Sequence, residues 1–267
     1  MNKVKILGLL LIAGLLITGC GSDDKESKKD KNENIGGITY YKDVKIVYFN
    51  PESGKICDDW VDENSQKINT HGCLKWYAYS ENEDKTVNMI LDHDITDEIA
   101  WSNDETNYAG PSMELLDLLK NTTAHWIGVK DRTDDYRVDN SYSKYIIDYT
   151  GYKARMISAE EIANIIGYDG DLYNVNVEDL NVTPWLFDRV SVSCEKYGCL
   201  NNKKFVNENY TTNYWTSSPF VNTEDGKTPV NTGAYYVNYM GKLRFSPIND
   251  KGTALRPVIS IDKELIK

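Results

Sequence analysis

The C-terminal part of the chain constrains the fold most, because three of its segments have the composition of β-strands. They are rich in β-branched and aromatic residues and are bounded by turn formers. Large apolar residues alternate with smaller or polar ones, which gives each strand one buried face. We therefore predict that these segments form one rigid sheet, the platform for the rest of the chain. They comprise residues 214–219, 234–245 and 255–261.

The middle segment contains a turn. Residues 238–241 fit a type I turn followed by Gly241 in the left-handed conformation, so residues 234–245 are predicted to form a hairpin. Pro257 cannot donate a ladder hydrogen bond, and we expect it at a sheet edge or a bulge. If the three segments form one platform, Trp215, Val237 and Ile259 should lie on adjoining layers.

The first 19 residues have the pattern of a signal peptide. Lys3 and Lys5 precede an apolar run over residues 6–17 that is short for a bilayer span. The run ends in Leu-Ile-Thr-Gly before Cys20, which resembles the lipobox of bacterial lipoproteins. The resemblance implies cleavage before Cys20, acylation of its thiol and amine, and anchoring on the extracellular face of the cell membrane. An ordinary signal peptide followed by a chance cysteine is the alternative.

Lipid attachment at Cys20 would leave four of the five cysteines for other roles. Exported chains lie where disulfides persist, and the sequence-local connectivity is the simplest of the three. We predict that Cys57 pairs with Cys73 and Cys194 with Cys199, with contributions of about 3 and about 2 kcal/mol. Free thiols or a cysteine–histidine metal site are the alternatives, although neither pair has Cys-x-x-Cys spacing.

Composition divides the remaining chain into a tether and one domain. Residues 20–37 are charged and contain no apolar side chain before Ile35, so we predict a disordered tether. Residues 38–267 contain no second linker and no repeat, and their length suits a single domain with one sizeable core.

The charge of the chain argues against nucleic-acid binding. Loss of two lysines with the signal peptide would take the net charge from −11 to about −13. No cluster of lysine and arginine occurs outside the tether, and phosphate binding needs the opposite sign. We therefore expect no nucleic-acid partner.

Periodicity and capping residues predict the other elements. One helix should cover residues 113–120 behind the N-cap Ser112. A second should follow Ser158, where Ser158 and Glu161 form a capping box and Gly167 supplies the C-terminal stop. The polar residues 130–144 are predicted to form a surface loop. Further strands are predicted at residues 44–49, 74–79, 86–91 and 145–149.

Three motifs resemble those of a known family. Residues 155–162, Arg-Met-Ile-Ser-Ala-Glu-Glu-Ile, resemble a strand-to-helix signature of the form Arg-Leu-Pro-Thr-x-x-Glu-Trp. Residues 214–218 look like a Tyr-Trp-Ser-Ser strand, and residues 255–258 look like a closing Gly-Phe-Arg-Pro-Val strand. Such motifs occur in formylglycine-generating-enzyme-like domains, which have the C-type-lectin-like fold, and in related bacterial surface domains. The resemblance implies an α+β domain with small antiparallel sheets, two or three helices and long loops.

The chain lacks the residues on which two activities of that family depend. The oxidase members bind copper through paired C-terminal cysteines, whereas no cysteine follows Cys199. The lectin members hold calcium and sugar with a Glu-Pro-Asn or Gln-Pro-Asp loop and a Trp-Asn-Asp strand. Neither loop tripeptide occurs in this chain, and residues 101–104, Trp-Ser-Asn-Asp, contain an extra residue. We interpret residues 101–104 as a solvated turn.

Acidic clusters are the remaining candidates for a cation site. In a strand, Asp92 and Asp94 would share one face and His93 the other, which suits a loop at a strand end better than a metal site. Two glycine-containing acidic loops can offer oxygen ligands, so Ca²⁺ is the candidate cofactor, with solvated turns as the alternative. The residues of these loops are Asp169, Asp171, Glu224 and Asp225.

Tyrosines are numerous, with 19 in the chain, and those in polar loops can stack on sugars or anchor peptides. Packing at half-buried positions of small sheets is the alternative for each. The candidate ligand-binding residues are Tyr136, Tyr142, Tyr210 and Tyr214, with Tyr40 and Tyr41 as further candidates.

These observations predict an anchored surface lipoprotein that binds an extracellular protein or glycan. The loops over residues 130–144 and 220–232 would make contact, since loops on a rigid sheet carry function. One alternative is an exported hydrolase with two catalytic carboxyls about 5–9 Å apart in a cleft. The other is a structural component of the cell envelope with no soluble ligand.

Overall fold

Three β-sheets and two α-helices make up the described part of the computed structural model. The structure describes residues 33–35, 37–57, 73–96, 98–104, 110–133, 135–139, 144–170, 172, 180–182, 185–186, 213–223, 229–238 and 240–266. The helices are α1 (Met113–Thr123) and α2 (Ala159–Ile166). The strands are β1 (Glu33–Ile35), β2 (Ile38–Asn50), β3 (Lys55–Ile56), β4 (Leu74–Asn82), β5 (Thr86–Leu91), β6 (Asp135–Asp139), β7 (Lys144–Asp148), β8 (Arg155–Met156), β9 (Leu180–Asn181), β10 (Asn213–Thr223), β11 (Pro229–Val237), β12 (Lys242–Pro247), β13 (Thr253–Ala254) and β14 (Pro257–Asp262).

The largest sheet, sheet A, has the strand order β1-β2-β4-β5-β14-β8, with β3 paired to β2, and all of its pairs are antiparallel. Its two faces support two apolar clusters. Trp76 and Met89 belong to the cluster that contains the buried face of α1. Ile90 lies on the opposite face, in the cluster that contains Ile162 of α2. The combination of helices with antiparallel sheets makes the fold α+β, as predicted.

A second sheet, sheet C, has the order β13-β10-β11-β12-β9 and contains the parallel pair β10–β13, while β6 and β7 form a separate ladder. The predicted hairpin is confirmed. Asn238 N donates to Lys242 O at 2.8 Å, and Gly241 N donates to Asn238 O at 2.9 Å. Gly241 has a φ of +72°, the left-handed conformation that closes such a turn.

The prediction of a single C-terminal platform is wrong. Strand β14 lies between β5 and β8 in sheet A, where Ile259 pairs with Met89. Trp215 and Val237 belong to sheet C. Residues 257–261 are all buried, so β14 needs cover on both faces and occupies an interior position. Pro257 is the first residue of β14, a position that tolerates proline.

Both predicted helices and their caps are confirmed. Ser112 Oγ accepts from Leu115 N at 3.3 Å, and α1 continues three residues beyond the predicted end. Ser158 and Glu161 form the capping box of α2, and Gly167 closes the helix with a φ of +69°. In the described part of the chain, no helix is sufficiently long and apolar to cross a lipid bilayer.

Two strands lie where the sequence predicts irregular chain. Strand β6 falls within the predicted surface loop over residues 130–144 and pairs with β7. Tyr136 and Val138 alternate with charged residues in Asp-Tyr-Arg-Val-Asp, so a period-two signal was present within the polar stretch. Strand β1 lies in the predicted tether and pairs with β2, so the folded part includes residues before position 38.

The predicted disulfide between Cys57 and Cys73 is present. It links the end of β3 to the start of β4 and closes a segment with a sequence separation of 16 residues. The second predicted pair, Cys194 with Cys199, lies outside the described residues. The signal peptide and the lipidation residue Cys20 also lie outside them.

Candidate functional site

A polar cleft of about 410 Å³ opens on the face of sheet A that packs against α2. Ser80, Asn88 and Ser260 form one register row across three adjacent strands. They occupy the face of Ile90, because side chains on one face of a strand recur every second residue. The apolar face of the sheet therefore becomes polar at the end where the cleft opens.

The cleft floor is a connected set of amides and hydroxyls. Ser260 Oγ donates to Asn88 Oδ1 at 2.7 Å. Asn88 Nδ2 donates to Ser80 Oγ at 3.0 Å and to Asn82 Oδ1 at 2.9 Å. Because Asn88 is 1 % exposed, these bonds satisfy an amide that would otherwise be costly to bury. The row is fixed in place before any ligand arrives.

The outer end of the floor terminates at a carboxylate. Asn82 Nδ2 donates to Thr86 Oγ1 at 2.8 Å, and Thr86 Oγ1 donates to Asp84 Oδ1 at 2.6 Å. Asp84 also accepts from the backbone N–H of Thr86 at 3.0 Å. These bonds define the tight connection between β4 and β5, where Lys85 has a φ of +66°.

The opposite side of the cleft carries cationic residues on the segment after α1. Lys130 N donates to Ser260 O at 2.9 Å, which attaches this segment to β14. The guanidinium of the half-buried Arg132 reaches the floor, where Nη1 donates to Ser260 Oγ at 3.3 Å. Lys130 Nζ contacts Asp262 at 2.9 Å, and this hydrogen bond raises the pKa of the lysine.

The inner wall contains a buried ion pair. Arg155 Nη1 and Nη2 donate to the two carboxylate oxygens of Glu161 at 2.5 Å each. Tyr79 OH donates to Glu161 Oε1 at 2.9 Å. Glu161 Oε2 also accepts from Ser158 N at 3.2 Å as part of the capping box. One carboxylate thus joins the start of α2 to β8 and β4.

The charges of this pair stabilise each other. Burial alone would raise the pKa of Glu161, but the Arg155 guanidinium outweighs burial and the pKa lies below its ordinary value. Burial would lower the pKa of Arg155, yet Glu161 holds it well above its ordinary value. Burial and the Glu161 charge together raise the pKa of the Tyr79 hydroxyl. Glu161 is therefore an ionised structural acceptor and is poorly suited to donate a proton in catalysis.

Tyr214 does not lie in an exposed loop, so its prediction as a surface stacking residue is wrong. Its side chain is 2 % exposed and its hydroxyl donates to Leu186 O at 2.5 Å. The Arg256 guanidinium lies 5.1 Å from the centre of its ring. Burial raises the pKa of Tyr214 despite this cation. The residue anchors residues 185–186 to the core.

Of the other predicted tyrosines, Tyr41 is half-buried and lines a separate cavity of about 260 Å³, and the rest show no exposed ring within the described residues. Tyr40 is also buried, and burial with the Glu161 charge raises its pKa to about 12. Only the backbone of Tyr136 is described, in β6 opposite Ile147. Tyr142 and Tyr210 lie outside the described residues.

The acidic candidates do not form a metal centre among the residues that the structure describes. Within those ranges, no group of three histidine, cysteine, aspartate or glutamate side chains could hold a metal ion. Asp169 is exposed in the turn after α2. Its expected partner Asp171 and the second acidic pair, Glu224 and Asp225, lie outside the described ranges.

The cluster at residues 92–94 follows β5 and is buried. His93 Nδ1 lies 2.6 Å from Asp92 Oδ1. His93 Nε2 and Asp92 Oδ2 are buried without a hydrogen-bond partner.

The turn predicted at residues 101–104 is solvated only in its second half. Trp101 is buried, and its Nε1 donates to Thr216 O at 2.9 Å.

The residues of the cleft floor were not predicted from the sequence, although a sequence signal existed. Asn88 and Ser260 interrupt strands that are otherwise apolar, in Thr-Val-Asn-Met-Ile-Leu and Pro-Val-Ile-Ser-Ile-Asp. A polar side chain in a strand buried on both faces requires a hydrogen-bonding partner. Such positions indicate either a polar network in the core or the floor of a site.

Comparison of the chain with protein-family models, with curated proteins and with solved structures finds no match. The candidate site therefore rests on its own geometry, which is a pre-formed polar floor between a cationic segment and a carboxylate.

Proposed function

We propose that the chain is a lipid-anchored extracellular protein whose α+β domain binds a glycan in the polar cleft. The observation that carries this proposal is the row formed by Ser80, Asn88 and Ser260, in which buried polar side chains replace apolar ones and of which Asn88 and Ser260 line an open cavity. The residues of the row satisfy one another's hydrogen bonds, so the floor keeps its polar surface in place beside the cavity.

The size and chemistry of the cleft favour a saccharide. Its volume of about 410 Å³ lies within the range of roughly 300–1,000 Å³ that small-molecule sites occupy. Asparagine amides and serine or threonine hydroxyls both donate and accept hydrogen bonds, as sugar hydroxyls do. The half-buried Ile38 lines the same cavity and offers apolar surface for the C–H groups of a sugar ring.

The motif resemblance supports a C-type-lectin-like domain as the finer assignment of the fold. The residues of the strand-to-helix signature form β8, the capping box and α2. Arg155 and Glu161 from that signature form the inner wall of the cleft. The family motif and the proposed binding site therefore share residues in this chain.

Ligand-observed NMR and titration calorimetry test the glycan assignment. The full chain in detergent micelles should bind one or more members of a panel of neutral, amino and acidic saccharides. Asn82→Ala removes a half-buried amide that lines the cleft and should weaken binding at least threefold. The matched control Asn103→Ala changes an exposed amide that bonds Glu114 outside the cleft, and should leave binding unchanged. A panel that is silent for the wild-type chain refutes the proposal.

Cell fractionation tests the anchor separately. The wild-type chain should sediment with the membrane, and a protease added to intact cells should digest it. Replacing residues 1–20 with a signal peptide that is cleaved without lipidation removes the acylation site and should release the mature chain into the soluble fraction. Equal membrane association of the two mature chains would show that residues after position 20 hold the protein there.

A further inference from the structure

The two asparagine amides of the cleft floor donate to each other. Asn82 Nδ2 donates to Asn88 Oδ1 at 3.1 Å, and Asn88 Nδ2 donates to Asn82 Oδ1 at 2.9 Å. The second N–H of each amide is also engaged, since Asn82 donates to Thr86 Oγ1 at 2.8 Å and Asn88 donates to Ser80 Oγ at 3.0 Å. A carboxamide has two N–H groups, so neither amide keeps a donor for a ligand.

The floor hydroxyls that line the cavity have also used their donors. Ser260 Oγ donates to Asn88 Oδ1 at 2.7 Å, and Thr86 Oγ1 donates to Asp84 Oδ1 at 2.6 Å. A hydroxyl has one proton, so these side chains offer a ligand only lone pairs. Asn82 Oδ1 receives one hydrogen bond and has room for a second, while the exposed carboxylate of Asp84 accepts only. The floor therefore presents hydrogen-bond acceptors to whatever lies on it.

The charges around the cavity balance and already have partners. Three cationic and three acidic side chains occur among its described lining residues. Arg132 bonds Ser260 Oγ and makes a further interaction, and the charge of Asp84 helps to raise the pKa of Lys130. A charged ligand would lose hydration and compete with these partners, whichever its sign. The ion pairs at the cavity are Lys130 with Asp262, Asp131 with Lys153 and Arg155 with Glu161.

We infer that the cleft selects a neutral sugar over acidic and amino sugars, an inference that rests on the proposed glycan-binding function. A sugar hydroxyl donates to Asn82 Oδ1 or Asp84 and at the same time accepts from a group on the opposite side of the cleft, such as the Lys130 ammonium. A carboxylate cannot donate, so its oxygens would face the acceptors of the floor. An ammonium can donate, but its charge would lie beside Lys130 and Arg132.

Matched sugars test the inference on the full chain in detergent micelles. D-glucose, D-galactose and D-mannose are each compared with their uronic acid and their 2-amino sugar at pH 6, where the acid is ionised and the amine protonated. In each series that binds, the neutral member should bind at least about fivefold more tightly than either charged member, because an unsatisfied polar contact is costly. Its affinity should change by less than about twofold when salt is added.

Fluorinated sugars test the direction of the hydrogen bonds. Fluorine has nearly the size of a hydroxyl group but carries no proton to donate. For the neutral sugar that binds most tightly, each hydroxyl is replaced by fluorine in turn. At least one of these deoxyfluoro sugars should bind about fivefold or more weakly than its parent, because it leaves a floor acceptor without a donor.

Thr86→Val tests the role of the engaged donors. The substitution removes the acceptor of one Asn82 N–H, while the reciprocal bonds with Asn88 keep the amide in place. The floor then has one donor for a ligand, and the preference for the neutral sugar over its uronic acid should fall at least about twofold. Thr123→Val is the matched control, since it removes a buried threonine hydroxyl that bonds Leu119 O at 2.9 Å outside the cleft. It should leave the preference unchanged.

The outcomes separate this inference from the proposed function. Uronic acids or amino sugars that bind as tightly as their neutral counterparts overturn the selection of neutral sugars and leave glycan binding standing. Deoxyfluoro sugars that all bind like their parent show that the floor does not accept from the ligand, which also overturns the inference. An unchanged preference in a folded Thr86→Val variant overturns the role of the engaged donors. Failure of every saccharide overturns both proposals.

Discussion

Replacing Glu161 by glutamine should destabilise the fold strongly while preserving its shape. The carboxylate accepts four hydrogen bonds in the native state, two from Arg155, one from Tyr79 and one from the backbone of Ser158. Glutamine has one acceptor oxygen, and its amide N–H groups would oppose one N–H group of the arginine. The substitution leaves Arg155 buried, charged and without its counter-ion.

The expected cost follows from that uncompensated charge. Removal of one partner from a buried ion pair costs about 3–5 kcal/mol. For a chain of this size, 1 kcal/mol corresponds to a shift of about 2–4 °C, so the melting temperature should fall by roughly 6–20 °C. The double variant Arg155→Met with Glu161→Gln removes the stranded charge. It should be less destabilised than Glu161→Gln alone, with a coupling of at least about 1 kcal/mol.

Thermal unfolding followed by tryptophan fluorescence measures these effects, with circular dichroism to verify that each variant is folded. Glu160→Gln is the control, because the same substitution one residue earlier affects a carboxylate that accepts from the neutral Ser218 hydroxyl. It should cost about 1 kcal/mol. If the Glu161 variant has the same melting temperature as the Glu160 control, the ion pair contributes little to stability and the reasoning from burial is incorrect.

Three further predictions concern stability. Wild-type stability should decrease more steeply than that of Glu161→Gln as the pH falls below 4.5, the ordinary pKa of a glutamate. The folded state lowers the pKa of Glu161, so the carboxylate contributes its full stabilisation above pH 4.5 and loses it as the pH falls through the lowered pKa. Measuring the melting temperature across this acid range checks the prediction. Reduction of the bond between Cys57 and Cys73 should cost about 3 kcal/mol, measured as the loss in denaturant stability on adding a reductant. Gly128→Ala should cost about 2–5 kcal/mol, because φ is +70° and the new Cβ would lie 2.4 Å from the Cα of a facing glycine. Gly151→Ala has a similar φ of +77° in open space and should cost only about 1–2 kcal/mol in the same unfolding assay.

Local sequence rules predicted the elements whose causes are local. The capping box of Ser158 and Glu161, the Gly167 stop and the turn at Gly241 all depend on residues within four positions of one another. Strand β5 was predicted with its observed bounds, because turn residues precede it and apolar residues fill it. These features needed no knowledge of distant contacts.

Sheet membership could not be predicted by the same means. The period-two pattern of β14 indicates a strand, but Val258 and Ile259 have no property that distinguishes β5 from β11 as a neighbour. The pairing is set by burial on both faces, which depends on the helices and sheets that cover them.

The candidate site was missed for a related reason. Its floor combines residues from three strands, and Arg132 reaches it from a segment more than a hundred positions before Ser260. Asn88 and Ser260 are each visible as polar residues in apolar strands, but only the register of the sheet aligns them with Ser80. The tyrosines were favoured instead because their sequence neighbours are polar, which in the case of Tyr214 gave no information about burial.

The interior position of β14 has a consequence for biosynthesis. Until residues 257–262 leave the ribosome, β5 has an open edge of unpaired backbone groups beside exposed Val87, Met89 and Leu91, a surface prone to intermolecular pairing. The contacts that cover this edge join positions about 170 residues apart, which slows their formation. Nascent chains should therefore depend on holding chaperones, and ribosome stalling before codon 257 should send the product to aggregates or proteases.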